Sequence, residues 1–192
     1  MTGPKSIEGY AIVSEDGMLA NANGVMPDAP KFEADKHYFE RGLDRTDVVI
    51  HGRHSHEQQP HSPLRHRLIA TRRIQALAPD PANDKAWFWN PAGASLEQAL
   101  DALGLPEARL GIVGATDVFA LFLDRYDVFH LSHAAGVFLP GGTPVFPTVP
   151  TQSPEEVLAS HGLDRGRRRV LDQANGVTIR NWRRPPAVKA RG

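Results

Sequence analysis

Residues 49–57, VIHGRHSHE, decide the fold class of this chain because they join a buried strand directly to a turn suited to anions. The apolar, β-branched run 47–51 has the length of a strand buried in a sheet. The turn that follows supplies a flexible glycine, a guanidinium and a hydroxyl, from Gly52, Arg53, His54 and Ser55. A strand that ends in such a turn is typical of the ligand-binding edge of a parallel sheet.

The same arrangement recurs after two further predicted strands. Strand 66–71 is followed by a second basic turn, made of Thr71, Arg72 and Arg73. Strand 110–113 ends at Val113 and is followed by small residues that let backbone amides approach a pyrophosphate, Gly114, Ala115 and Thr116. Two basic turns indicate a phosphate-rich cofactor, and their arginines favour NADPH over NADH by pairing with its 2′-phosphate.

Each turn also has a purely structural interpretation. The two basic turns are equally typical of solvated loops. The third turn is also consistent with a tight connection in which Thr116 caps the following helix, and the charge of Asp117 would repel phosphate. The residues alone leave both interpretations open.

Strands and helices alternate along most of the chain. Further strands are predicted at 9–14, 86–89 and 128–132, and helices at 31–43, 95–103 and after Thr116, whereas 18–30 holds so many turn formers that we expect only a loop. Gly42 is a residue at which the first helix could end. We therefore predict a three-layer α/β fold, with a mostly parallel mixed sheet flanked by helices.

The pattern weakens after Pro147. A short helix over 153–160 and a hairpin of 168–171 with 177–182 are predicted there, and the chain from Arg183 onward is predicted to be disordered. We assign one domain, 7–185, in which 149–185 is a divergent C-terminal part, followed by a tail at 186–192.

Composition excludes several classes of function. Lys and Arg number 22 and so do Asp and Glu, so no basic surface is set apart for nucleic acid. The chain has no cysteine, which excludes disulfides, thiolate metal sites and cysteine nucleophiles. No segment has the length of a membrane span and no secretory signal is evident, so we expect a cytoplasmic protein. A homodimer is compatible with these features.

Five histidines fall in one short stretch: His51, His54, His56, His61 and His66. A metal site built on them is a weak alternative, because the intervening segment is irregular and no second ligand pair has zinc spacing. We expect solvated histidines and no metal.

Asp35 is the first catalytic candidate. It lies three residues after Phe32 and four before Phe39, so a helix places its carboxyl on the same face as the two rings. Partial burial there raises the pKa of a carboxyl group and makes it a useful proton donor near neutral pH. The alternative is an acidic residue that merely complements the helix dipole in the first turn.

Several segments together resemble dihydrofolate reductase and the related reductase domain of riboflavin biosynthesis. The resemblance extends in order over about three quarters of the chain, from Tyr10 to Pro147. Its most specific segment is 49–57. The others are 11–17, Met26-Pro27, 35–39, 63–65, 70–72, 112–119, 131–133, Gly142-Thr143 and Phe146-Pro147.

The resemblance implies a role for each matching residue. Asp35 would be the catalytic acid, assisted by Ser132. NADPH would be bound by Ala11, Ile12, Gly17, Leu19, Gly52, Arg53, His54, Ser55, Thr71, Arg72, Arg73, Val113, Gly114, Ala115, Thr116, Asp117 and Val118. A heterocyclic substrate would contact Tyr10, Met26, Lys36, Phe39, Arg65 and Phe119. Arg65 would hold the carboxylate of a folate tail.

The chain departs from the family at several positions. The family usually has two consecutive glycines joined by a cis peptide, and here the second is Ala115; a non-proline cis bond is costly, so the residues leave the isomer open. Asp28 and Lys36 replace residues that are commonly aromatic or apolar and favour a more polar substrate pocket.

Three functions are consistent with these residues. The first is an NADPH-dependent reductase that transfers a hydride to a dihydropterin such as dihydrofolate. The second is a reductase of a ribosylated aminopyrimidine in riboflavin biosynthesis, with Arg65 and Arg67 on the ribose phosphate. The third is a non-catalytic NADPH-binding module whose substrate pocket has decayed.

Overall fold

The computed structural model describes residues 3–27, 32–53 and 61–186. The strands are β1 (Ser6–Val13), β2 (Met18–Ala20), β3 (Val48–Gly52), β4 (His66–Ala70), β5 (Leu77–Pro79), β6 (Ala86–Trp89), β7 (Arg109–Ile112), β8 (Val128–Ala134), β9 (Thr143–Pro144), β10 (Asp164–Asp172) and β11 (Val177–Arg183). The helices are α1 (Glu33–Leu43), α2 (Leu96–Ala102), α3 (Thr116–Leu121) and α4 (Pro154–Ser160).

Nine of these strands form one sheet in the order β10-β11-β8-β1-β7-β3-β4-β6-β5. The six central strands, from β8 to β6, are parallel, and the antiparallel pairs lie at the two margins. Parallel strands need both faces covered, which explains why Val48, Val49 and Ile50 of β3 are fully buried. The mixed, mostly parallel sheet flanked by helices is confirmed.

The prediction that 18–30 is only a loop is wrong for its first three residues. Met18–Ala20 is a strand, β2, which pairs antiparallel with β9. Met18 is buried, and its backbone N–H donates to the Ser14 hydroxyl at 3.0 Å. The turn-forming residues on which the loop prediction was based begin only after Ala20.

The C-terminal part is more regular than predicted. β10 begins at Asp164, four residues before the predicted hairpin strand, and β11 includes Arg183. Arg184 is also fixed, because its guanidinium donates to the carbonyls of Tyr126, His161 and Leu123. The expected disorder from Arg183 onward is therefore wrong for these residues, and 187–192 lie outside the described part.

Gly42 does not end α1, which continues to Leu43. Its backbone lies against the ring of Tyr10, and a Cβ added at Gly42 would lie 2.4 Å from Tyr10 Cε1. This glycine is therefore required for close packing of the helix on β1.

We predict that Gly42→Ala destabilises the protein by about 1–3 kcal/mol, because the methyl group overpacks against a buried ring. A helix interior would otherwise gain about 1 kcal/mol from this substitution, so the sign of the effect tests the contact. Urea unfolding measures it. Gly3→Ala is the control, since nothing lies within 4 Å of a Cβ there, and a stabilised Gly42→Ala protein would contradict the packing.

Candidate active site

The glycine turns predicted from the sequence lie side by side at one edge of the sheet. The Gly52 N–H donates to the Gly114 carbonyl at 2.7 Å, and the Val113 N–H donates to the Ile50 carbonyl at 3.0 Å. Gly114 has a φ of 114°, which favours glycine, and the Gly114–Ala115 peptide is cis. Since β3, β4 and β7 are parallel neighbours, the turn at Thr71 opens toward the same edge.

A cavity of about 450 Å³ opens at this edge, between α1 and the sheet. Its apolar wall comes from β1, β2, α1 and α3, and its polar groups come from α1 and β8. It is lined by Tyr10, Ala11, Ile12, Leu19, Ala20, Gly24, Asp35, Tyr38, Phe39, Val113, Gly114, Ala115, Phe119, His130, Ser132, Thr143 and Ile179. An apolar cavity with a few convergent polar groups is the expected form of a small-molecule site.

Asp35 is the acidic group of this cavity. Burial raises the pKa of its carboxyl to about 6, and a hydrogen bond with the Ser132 side chain opposes part of that rise. No cation of the described residues forms an ion pair with this carboxyl. Asp35 is therefore poised to hold or release a proton near neutral pH.

A hydrogen-bonded network forms the polar end of the cavity. His130 is buried, and its ring stacks on Tyr10 with centroids 4.4 Å apart. Its Nε2 lies 2.9 Å from the Glu8 carboxylate and its Nδ1 lies 2.8 Å from the Tyr38 hydroxyl. Asn181 donates to the same hydroxyl at 3.3 Å. The bond with His130 is the main reason why the pKa of Glu8 is lowered.

The network also attaches α1 to the sheet. Tyr38 lies on α1, three residues after Asp35, whereas Glu8 and His130 lie on neighbouring strands β1 and β8. The Tyr38–His130 bond therefore connects the helix to β8, the strand that also carries Ser132. This contact fixes the distance across which Asp35 and Ser132 face each other.

Residues of β2 and β9 close another side of the cavity. Leu19 and Ala20 of β2 and Thr143 of β9 line it, and β2 pairs antiparallel with β9. The Thr116 hydroxyl, at the start of α3, donates to the Pro144 carbonyl in β9. The turn after β1 lines a different cavity. It is held by bonds from the Glu15 N–H to the Val137 carbonyl at 2.8 Å and from the Leu139 N–H to the Asp16 carboxylate at 2.9 Å.

The structure brings eleven of the predicted site residues together in the cavity lining. They are Tyr10, Ala11, Ile12, Leu19, Asp35, Phe39, Val113, Gly114, Ala115, Phe119 and Ser132. Gly52, Thr71 and Thr116 lie at the same sheet edge, and Val118 is buried in α3. Arg53 follows Gly52, and Arg73 follows Arg72 in the turn after β4.

Other predicted site residues lie elsewhere. Lys36 is exposed and pairs with Glu33 at 3.6 Å, and Arg65 pairs with Asp44 at 2.7 Å. Neither side chain lines the cavity. Gly17 lines a different cavity, and Met26 packs against the core. His54 and Ser55 lie outside the described residues.

The site predicted from the sequence lacked six residues that line the cavity: Ala20, Gly24, Tyr38, His130, Thr143 and Ile179. The sequence pattern could have identified two of them, Tyr38 and His130. Tyr38 follows Asp35 by one helical turn, and His130 precedes Ser132 by two residues and so shares its strand face. Ile179 could not be found in this way, because its place depends on the register of β11 against β8.

Comparisons with known proteins bear on this geometry. No family model matches the chain, and no curated protein sequence matches it significantly. A solved structure provisionally described as a riboflavin biosynthesis protein of Shewanella sp. PV-4 superposes with a TM-score of 0.63. The match covers 94% of this chain and 99% of that one, at 16% identity. The chain has a dihydrofolate reductase-like fold.

The second comparison supports the same dihydrofolate reductase-like fold. Dihydrofolate reductase from Enterococcus faecalis, complexed with NADP(H) and RAB-propyl, superposes with a TM-score of 0.60 and 15% identity. The match covers 96% of this chain and 99% of that one. At this coverage the shared fold extends over nearly all of this chain.

Two kinds of feature are absent from the described residues. No helix among 3–27, 32–53 and 61–186 is long and apolar enough to cross a bilayer. Within those same ranges no three His, Cys, Asp or Glu side chains are grouped so that they could hold a metal ion.

We predict an Asp35 pKa near 6 in a carboxyl NMR titration, and a still higher pKa in Ser132→Ala, because the bond with Ser132 lowers it. Ser160→Ala, which removes a hydroxyl from distant α4, is the control. An Asp35 pKa unchanged in Ser132→Ala would contradict the contact.

The titration of Asp35 also makes the free energy of unfolding depend on pH. Between about pH 3.8 and 6 the folded protein binds more protons at Asp35 than the unfolded chain does. The free energy of unfolding therefore falls as pH rises through this window. Asp35→Asn should lack this component in urea unfolding measured at several pH values.

Proposed function

We propose that this protein is an NADPH-dependent reductase that transfers a hydride to a heterocycle, with a dihydropterin such as dihydrofolate as the first candidate substrate. The observation that carries the proposal is one cavity that holds both Asp35, with its raised pKa, and the Gly114 turn. A proton donor and a dinucleotide-type turn at one cleft are what such a reaction needs.

The residues at the sheet edge fit a dinucleotide. The first turn of α3 has no side-chain cap, although the Val118 N–H already donates to the Ala115 carbonyl at 2.9 Å. Gly52 and Gly114 let the backbone approach a pyrophosphate, and Arg72 is almost fully exposed, with only a 3.6 Å ion pair to Asp117. Arg72 is the residue best placed to pair with a 2′-phosphate, and Ala11 and Ile12 would adjoin the nicotinamide.

The bound cofactor would supply the hydride, and the chain's own residues would manage the proton. Asp35, protonated near its pKa, would promote protonation of the ring nitrogen of the heterocycle. Ser132 would orient the Asp35 carboxyl or the ring by its hydrogen bond. The apolar side chains Phe39 and Phe119 would hold the flat ring and exclude water.

A second substrate class is supported by the polar end of the cavity. Tyr38 and His130 line it, so the site can contact more polar groups than a purely apolar pocket can. Arg65 already pairs with Asp44, and Arg67 donates to the Ser62 hydroxyl at 3.0 Å. A ribosylated aminopyrimidine would therefore gain its contacts from the cavity rather than from these arginines. A non-catalytic NADPH-binding module is the remaining candidate.

We predict that Asp35→Asn lowers turnover at pH 7 by about 10²–10⁴-fold, because the proton donor is lost. NADPH affinity should stay nearly unchanged, since Asp35 is on the substrate side. The measurement is NADPH oxidation with dihydrofolate and, separately, with the aminopyrimidine phosphate. In the wild-type protein the rate should decline as pH rises above 6, where Asp35 ionises.

Glu33→Gln is the matched control, since Glu33 lies on the same helix and is exposed. Turnover of Asp35→Asn equal to that of the control would remove Asp35 from the mechanism. Saturable NADPH binding without oxidation by either substrate would instead favour the non-catalytic module.

We predict that Arg72→Gln raises the dissociation constant for NADPH about tenfold or more, because a charge-assisted contact with the 2′-phosphate is lost. Affinity for NADH, which has no 2′-phosphate, should not change. Isothermal titration with both cofactors measures the difference. Arg167→Gln removes a charge from distant β10 and is the control. Equal loss of NADPH and NADH affinity would contradict this role.

A further inference from the structure

A second cavity lies on the other side of the sheet from Asp35. Its volume is about 390 Å³, and β8, β10, β11, α4 and the turn after β1 contribute to it. Ser132 and His133 are consecutive on β8 and face the two different cavities. Ile179 of β11 borders both cavities and their other lining residues differ, so this space is distinct from the proposed reductase site.

Three arginines line the second cavity: Arg165, Arg168 and Arg180. Arg168 and Arg180 are direct partners in the antiparallel pair of β10 with β11, so their side chains lie on the same face. Like charges directly opposite each other destabilise a sheet. The arrangement is costly for the unliganded chain.

Arg180 is half-buried, and its guanidinium donates to the Gly166 carbonyl at 3.1 Å, which fixes its position. Desolvation lowers the pKa of Arg180, and the charge of Arg165 lowers it further. The charge of Glu155 opposes this shift, and Arg168 adds a smaller lowering. None of the three arginines forms an ion pair with a carboxylate of the described residues.

The acidic side chains of the cavity already have partners. Glu155 pairs with His133 at 3.0 Å, and Asp16 accepts from the Leu139 N–H and the Ser14 hydroxyl. Glu15 accepts from the Gly136 N–H at 3.2 Å. The charge of Glu155 raises the pKa of Arg180, but the two side chains form no ion pair. The guanidinium groups therefore remain available for an anion.

We propose that this second cavity binds a small molecule through an oxyanion, either a phosphate group or a carboxylate, held by Arg165, Arg168 and Arg180. Guanidinium groups match the geometry of both anions because they donate two parallel hydrogen bonds. The bound anion would offset the repulsion between Arg168 and Arg180. The site does not depend on the proposed reductase activity.

The test is a residue-resolved amide NMR titration of the full chain with pyrophosphate and, separately, with citrate. Residue resolution is needed because pyrophosphate also suits the turns at Gly52 and Gly114. We expect one of the two anions to shift amides of β10 and β11, and the tighter-binding anion identifies the ligand class. Arg168→Gln and Arg180→Gln should each weaken this binding about tenfold or more.

Arg167→Gln is the matched control, because it removes the same charge from the same strand without touching the cavity. If Arg167→Gln weakens anion binding as much as the two cavity variants do, the effect is one of overall charge and the proposal is overturned. Titrations in which neither anion shifts the β10 and β11 amides would also overturn it. A second readout needs no ligand: Arg168→Gln should raise Tm by about 1–3 °C through relief of repulsion. A fall in Tm would contradict that premise.

Discussion

A carboxyl group held in a cleft, with no ion-pair partner among the residues that the structure describes, is the constraint on which the site depends. Desolvation alone would favour the neutral form of Asp35, and the bond with Ser132 restrains that preference so that the pKa stays near 6. A neighbouring cation would have kept the carboxyl ionised, and full exposure would have left its pKa near 4. The chemistry thus follows from burial beside the neutral hydroxyl of Ser132.

Asp35 keeps this environment only if α1 stays close to the sheet. Two contacts ensure it: Gly42 allows the helix backbone to approach Tyr10, and Tyr38 bonds to His130. Tyr10 and His130 are stacked on each other, so both contacts reach the same pair of rings. The position of the proton donor therefore depends on packing and on a buried polar network together.

Much of this site could be predicted from periodicity. Helical spacing placed Asp35 on the face of Phe32 and Phe39, and the order of strands and turns placed Gly52 and Gly114 at one edge. Pairings between distant segments could not be predicted, because register has no local signature. The β2–β9 pair belongs to this class, whereas the hairpin that carries Arg168 and Arg180 was predicted and only its register was not.

Successive side chains of β8 point to opposite faces of the sheet, so this one strand contributes to both cavities. Ser132 faces the carboxyl of Asp35, and the next residue, His133, faces Glu155 among the arginines. Since β11 pairs with β8 along its whole length, the arginines of the hairpin and the serine of the site are held in one register. A shift of β11 by one residue would exchange the faces of Ile179 and Arg180. It would move Arg180 to the face of Ser132, so the register of β11 also determines which cavity this arginine lines.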